Sequence, residues 1–217
     1  GKISLTDFYA RRIRRLLPAS LVAVIGTLVM ARIWLEPLRL GDLTQDARAA
    51  ALFVTNLLFA SRESDYLQSA LPPSPLQHYW SLGVEEQFYI FFPLIVMLLL
   101  KIQRNSKMML KIGLALITAI SLVLCVALTS KMPSATFYLL PFRAWELGAG
   151  ALLTLVYTQV QRTNSVLRES LGWLAVISVL VTGFLYDSRT LFPGYAAVLP
   201  VVATLMMIAS DDNSRFG

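Results

Sequence analysis

The chain of 217 residues is 56% hydrophobic and only 15% charged, with a mean hydropathy of +0.63. A soluble domain of that length would bury one core beneath a far more charged surface, so the composition excludes one. The net charge of +6 and pI near 9.7 do not mark a nucleic-acid binder either. The basic residues gather at the ends of apolar blocks, as at 11–15 and 101–111, where membrane topology puts them.

The chain opens Gly-Lys-Ile-Ser, with no starter methionine and no signal-peptide pattern, and it closes on a polar stretch at 211–217. Both ends read as cut from a longer protein. Between them, apolar blocks at roughly 16–35, 78–100, 111–130, 135–157, 170–186 and 192–209 approach the ~20 residues that cross a bilayer. The expected fold is all-α: a polytopic transmembrane helical bundle of about six spans, in one membrane domain over 1–217. A further block at 49–60 carries Asn56 and would rise only ~18 Å as a helix, short of a ~30 Å hydrocarbon core. A short re-entrant or interfacial helix is expected there.

Lysine and arginine placement orients the bundle. With 11–15 in the cytoplasm and the short block not crossing, the 101–111 connection is also cytoplasmic. It carries Lys101, Arg104, Lys107 and Lys111 with no acid to balance them, whereas the opposite segments mix bases with acids. Ser74-Pro75-Leu76-Gln77 forms a capping box that starts a helix just before His78, and Pro133-Ser134 starts another. Pro18, Pro93, Pro141 and Pro200 lie in or near apolar blocks and are expected to kink them.

Charged groups at membrane depth are costly, so they usually face a cavity or pair with one another. The first such group begins His78-Tyr79-Trp80-Ser81 and continues to Glu85-Glu86-Gln87-Phe88-Tyr89. On a helix, His78, Ser81, Glu85 and Tyr89 fall within about 80° of one another, with Glu86 about a right angle away. This face suits a general base or proton relay, and equally a wetted interfacial segment with Tyr79 and Trp80 in an aromatic belt. The second group, Arg143 and Glu146, is spaced to pair on one helical face, beside Gly148 and Gly150. Such a pair either glues helices together or holds substrate. The third, the arginine cluster at 11–15, either sets topology or binds the phosphates of a cytoplasmic donor. No phosphate loop or nucleophile elbow is present, and with one histidine and one cysteine (Cys125, inside an apolar block) no metal site and no intrachain disulfide is expected.

Four pieces in this order give the chain a family likeness: Phe8-Tyr9-Ala10-Arg11-Arg12-Ile13-Arg14-Arg15-Leu16-Leu17-Pro18-Ala19, His78 through Tyr89, Phe137 through Gly148, and Phe192-Pro193-Gly194-Tyr195. Together they resemble the acyltransferase-3 family of bacterial membrane O-acyltransferases, over nearly the whole chain. The resemblance implies transfer of an acyl group, usually acetyl, from cytoplasmic acyl-CoA to a hydroxyl on an extracytoplasmic glycan, lipid-linked sugar or other cell-envelope acceptor. Acyl-CoA would be a co-substrate rather than a bound cofactor. The implied setting is the bacterial inner membrane, with lipids as neighbours and no nucleic acid.

The resemblance also implies an earlier helix, ahead of residue 1, with an arginine and a catalytic histidine. Asp65-Tyr66-Leu67 and the Pro-Gly piece are similar to members with a hydrolase-like extracytoplasmic domain after the membrane part. Within the present residues, Arg11, Arg12, Arg14 and Arg15 would meet the CoA phosphates on the cytoplasmic side. His78, Glu85 and Glu86 would form the catalytic wall in the outer half of the cavity. Ser81, Tyr89, Arg143 and Glu146 would contact or shape substrate. The competing class is a transporter or flippase, since kinked helices with buried charges also line substrate paths; no internal repeat is visible to favour it.

Overall fold

The computed structural model describes residues 4–34, 36–64, 73–102, 107–187 and 189–210. The sequence piece at 65–67 and the polar stretch at 211–217 lie outside them. The described residues form helices, with no strand among them. Five helices are long and apolar enough to cross a membrane by length and composition: within Leu5–Trp34, Tyr79–Lys101, Met108–Leu128, Pro133–Val160 and Ser165–Leu185. The apolar block at 192–209 gives a shorter helical stretch, Tyr195–Ser210. The all-α polytopic bundle therefore holds, with its last member below full-span length. At most 17% of the residues in each span window are buried, so the apolar surface points outward, as lipid-facing helices require.

The residues group into two compact units, Gly1–Ile95 and Val96–Gly217. In the first, α1 (Leu5–Trp34) begins well before the apolar block because arginine is a good helix former and Ser4 caps the start. The Ser4 hydroxyl accepts from the Asp7 amide at 3.3 Å. The outer part of α1 packs on α2 (Leu40–Ala51): Val24 and Ala31 form a buried cluster with Leu43, Ala47, Ala50 and Leu76.

The block at 49–60 is not one short helix. The chain turns at 52–54 between α2 and α3 (Thr55–Ser64), making a helical hairpin whose tip falls in the middle of the expected element. Phe53 takes the left-handed conformation, φ 56°, at a cost of roughly 1–2 kcal/mol for a residue with a side chain. Two turn bonds hold it, from Phe53 N–H to Ala50 O at 3.1 Å and from Val54 N–H to Ala49 O at 2.9 Å. The limbs are joined by Arg62, which pairs with buried Asp46 and donates to Gln45. Periodicity alone did not show this turn because it contains neither glycine nor proline.

α4 (Tyr79–Ile102) starts one residue later than expected, after a turn in which the Leu76 amide donates to the Ser74 hydroxyl at 3.1 Å. It runs antiparallel to α1. The Tyr79 hydroxyl donates to Ser20 O, Glu86 meets Arg12, and the Tyr9 hydroxyl donates to Ile90 O. Pro18 and Pro93 sit inside unbroken helices.

The second unit holds α5 (Lys107–Leu128), α6 (Pro133–Tyr138), α7 (Leu140–Val160), α8 (Ser165–Leu185) and α9 (Val198–Ser210). The expected helix at 135–157 is divided. Leu139 is extended (φ −94°, ψ 139°), the backbone conformation usual for the residue that precedes a helix, and so separates α6 from α7. The Ser121 hydroxyl of α5 docks on the first turn of α7, donating to Pro141 O at 2.7 Å and accepting from Trp145 N–H at 3.0 Å. One turn on, Gly148 lets α5 come close: a methyl group there would meet the Thr118 hydroxyl. α8 begins at an Asn164 cap, whose side chain accepts from Val166 N–H at 3.0 Å, and pairs along its length with α9.

Candidate active-site cleft between α1 and α4

On α1, Arg11 and Arg15 lie one turn apart and share a face, with Arg12 a right angle around from Arg11. Arg12 is committed. Its Nε donates to both carboxylate oxygens of Glu86 at 2.9 Å, and its Nη2 lies 2.7 Å from Glu86 Oε1. Its guanidinium also lies over the Tyr89 ring, 3.2 Å from the centroid. The two charged side chains are 22% and 15% exposed, so the pair is partly withdrawn from solvent and anchors α1 to α4.

Beside this anchor opens a cleft of about 510 Å³, lined by Phe8, Arg11, Arg12, Arg15, Leu16, Glu85 and Tyr89. Arg11, Arg15 and Glu85 have no ion-pair partner among the described residues. Arg14 is exposed, donates from Nε to Ala10 O at 3.3 Å, and is not part of the lining.

The face expected to unite His78, Ser81, Glu85 and Tyr89 is only partly assembled. Glu85 and Tyr89 reach the cleft. His78 lies in the turn before α4, outside its helical register, and is exposed. The Ser81 hydroxyl donates to His78 O at 3.1 Å. Neither residue is part of the lining, and the helical rise from Glu86 back to His78 is ~12 Å. A second expectation is corrected by the Arg12–Glu86 pair. The arginines and the glutamates do not occupy opposite halves of the first unit; they stand at one level, because the two helices run antiparallel with 12 opposite 86.

In the second unit, Arg143 Nη2 lies 3.1 Å from Glu146 Oε2. The guanidinium sits 5.8 Å from the Phe137 ring centre and 5.6 Å from that of Phe192. Glu146 Oε1 is buried and meets no hydrogen-bond donor among the described residues. Cys125 and Trp145 pack into the neighbouring core with Ala197. Among the described residues no three His, Cys, Asp or Glu side chains gather as a metal site would require.

Asn56, Gly83 and Gln87 were not singled out as site residues by the sequence. Asn56 is fully buried, and its amide exchanges two hydrogen bonds with Gln87: Nδ2 to Oε1 at 3.1 Å and Nε2 to Oδ1 at 2.8 Å. The signal was an asparagine in an apolar run, but only the hairpin shows which helix it meets.

A family model for an acyltransferase domain matches residues 1–214, and the four quoted pieces fall inside that match. The chain belongs to the acyltransferase-3 family. The peptidoglycan O-acetyltransferase OatA of Listeria monocytogenes is 30% identical over 96% of this chain and 35% of its own length. The putative peptidoglycan O-acetyltransferase YrhL of Bacillus subtilis is 32% identical over 76% of this chain and 26% of its own. A putative O-acetyltransferase of Staphylococcus aureus, SACOL0978, is 29% identical over 97% and 36%. The chain thus spans between about a quarter and about a third of the length of these relatives. No solved structure matches it. Family and helices together make it a multi-pass membrane protein.

Proposed function

We propose that this chain is the membrane part of an O-acyltransferase that moves an acetyl group from cytoplasmic acyl-CoA to a hydroxyl of an extracytoplasmic glycan. The names of the relatives favour peptidoglycan as the acceptor, and the lysine and arginine bias favours a cytoplasmic mouth for the cleft, in the bacterial inner membrane. The observation that carries the reading is the cleft. Arg11 and Arg15 face Glu85 across a space of about 510 Å³, within the usual range for small-molecule sites, in a chain of an acyltransferase family.

The residues then divide by geometry. Arg11 and Arg15 take the donor phosphates, as paired guanidinium forks do well. Arg14, exposed nearby, adds to the local positive field. Arg12 and Glu86 neutralise each other and hold the walls together, with Tyr89 under Arg12. Glu85 is the carboxylate free to receive a proton or to orient the group that does.

In the transfer itself, the acceptor hydroxyl oxygen attacks the thioester carbonyl as its proton passes to a base. The carbon–sulfur bond breaks, and the CoA thiolate leaves and takes up a proton, leaving an acetyl ester on the glycan. His78, in the turn before α4, and Ser81, in its first turn, lie toward the acceptor in this scheme, and the Arg143–Glu146 pair contacts substrate within the second unit.

Incubating membranes that contain the full-length protein with labelled acetyl-CoA tests the reading. Label on a cell-envelope glycan is the expected result. Movement of an unacylated lipid-linked sugar, without label transfer, would replace the enzyme with a flippase.

A further inference from the structure

The hairpin tip grips α4 on the face opposite Glu85. Gly83 and Gln87 are one turn apart and make a single stripe. A methyl group on Gly83 would lie 2.8 Å from Asn56 Oδ1 and 3.0 Å from Phe53 O, so the glycine is what allows the tip to seat. Gln87 then closes the reciprocal amide pair with Asn56. From Gln87, Glu86 lies about 100° around the helix and Glu85 about 160°. Fixing the Gly83–Gln87 stripe against the hairpin therefore aims Glu86 at Arg12 and Glu85 into the cleft. The hairpin is itself braced, by Asp46 and Arg62 across its limbs and by the core that α2 shares with α1.

We propose that Asn56 and Gln87, seated over Gly83, are positioning residues that set the rotation of α4 and so hold Glu85 at the reacting centre. The proposal rests on the cleft being the acyl-transfer site. Donor affinity is carried by Arg11 and Arg15 on α1, which the Asn56–Gln87 contact does not touch. Loosening that contact should therefore change turnover and spare donor binding.

The test uses the full-length protein in membranes and measures label transfer against acetyl-CoA concentration, scaled to the amount of folded protein recovered by size-exclusion chromatography. Asn56→Ala, and Asn56→Asp as a variant of unchanged size, should each lower kcat roughly 10–100-fold, the scale of a small misplacement of a reacting group. Their KM for acetyl-CoA should stay within about twofold of the native value. Gly83→Ala attacks the same contact from the other side and should reproduce the loss. Combining it with Asn56→Ala should be no worse than either alone, because both act on one contact. Native turnover in folded Asn56 variants, a loss seen in KM alone, or multiplying effects of Gly83→Ala and Asn56→Ala would overturn the positioning role. Absence of transfer by the native protein would remove the acyl-transfer reading, and the positioning role with it.

Discussion

Arg12 and Glu86 are bound to each other through three contacts of 2.7–2.9 Å, although 74 residues separate them in the chain. That single relationship puts the arginine cluster of α1 and the glutamates of α4 at one level. It turns two motifs quoted separately from the sequence into opposite walls of one cleft. It also separates the roles of neighbours: Glu86 is occupied, whereas Glu85 faces open space.

Breaking this pair should cost stability before it costs chemistry. Glu86→Gln removes the counter-charge and weakens the fork, and Arg12→Lys keeps charge while losing the planar stack on Tyr89. Each is expected to destabilise the protein by about 2 kcal/mol, the scale of a charge-assisted bond. Thermal unfolding in detergent measures it. The double variant should lose less than the sum of the two, since both remove one interaction.

The hairpin depends on a more deeply buried pair. Asp46 is 2% exposed and Arg62 16%. Asp46→Ala leaves the guanidinium without its counter-charge and should destabilise by about 3–5 kcal/mol. Limited proteolysis should then cut first within 40–64, because the limbs separate before the long spans do. Resistance equal to that of the native protein would show that the pair contributes little.

Ser121 joins α5 to the first turn of α7. Ser121→Ala removes a donor from Pro141 O and an acceptor from Trp145 N–H at once, the first part-buried and the second buried. A loss of about 1–2 kcal/mol is expected, the size found for polar contacts between membrane helices. Ser121→Thr should retain most of it, because the hydroxyl is kept.

Much of this architecture was legible because block length is a strong signal in a bilayer. Whereas α1 starts well ahead of its apolar block and the block at 135–157 is divided, the presence of the long apolar helices and the Arg143–Glu146 pairing follow from block length and local spacing. The hairpin did not, because its turn rests on Phe53 in a conformation that the residue type does not announce. Tertiary contacts also overrode helical-wheel reasoning. His78 looked like a member of the Glu85 face, but the helix begins after it. Arg12 and Arg14 looked equivalent, yet one is bound to Glu86 and the other to its own backbone. Such distinctions depend on which helix lies opposite, and spacing within one helix carries no record of that.

The most direct test of the cleft as the donor site compares arginines that the sequence cannot rank. Label transfer by full-length protein should be measured against acetyl-CoA concentration for Arg11→Gln/Arg15→Gln and for Arg14→Gln. The double variant should raise the KM for acetyl-CoA by about tenfold or more, the loss of roughly 1.4 kcal/mol of phosphate binding, with Arg14→Gln within about twofold of native. An unchanged KM in the double variant, or an equal rise in Arg14→Gln, would contradict the placement of the donor between α1 and α4.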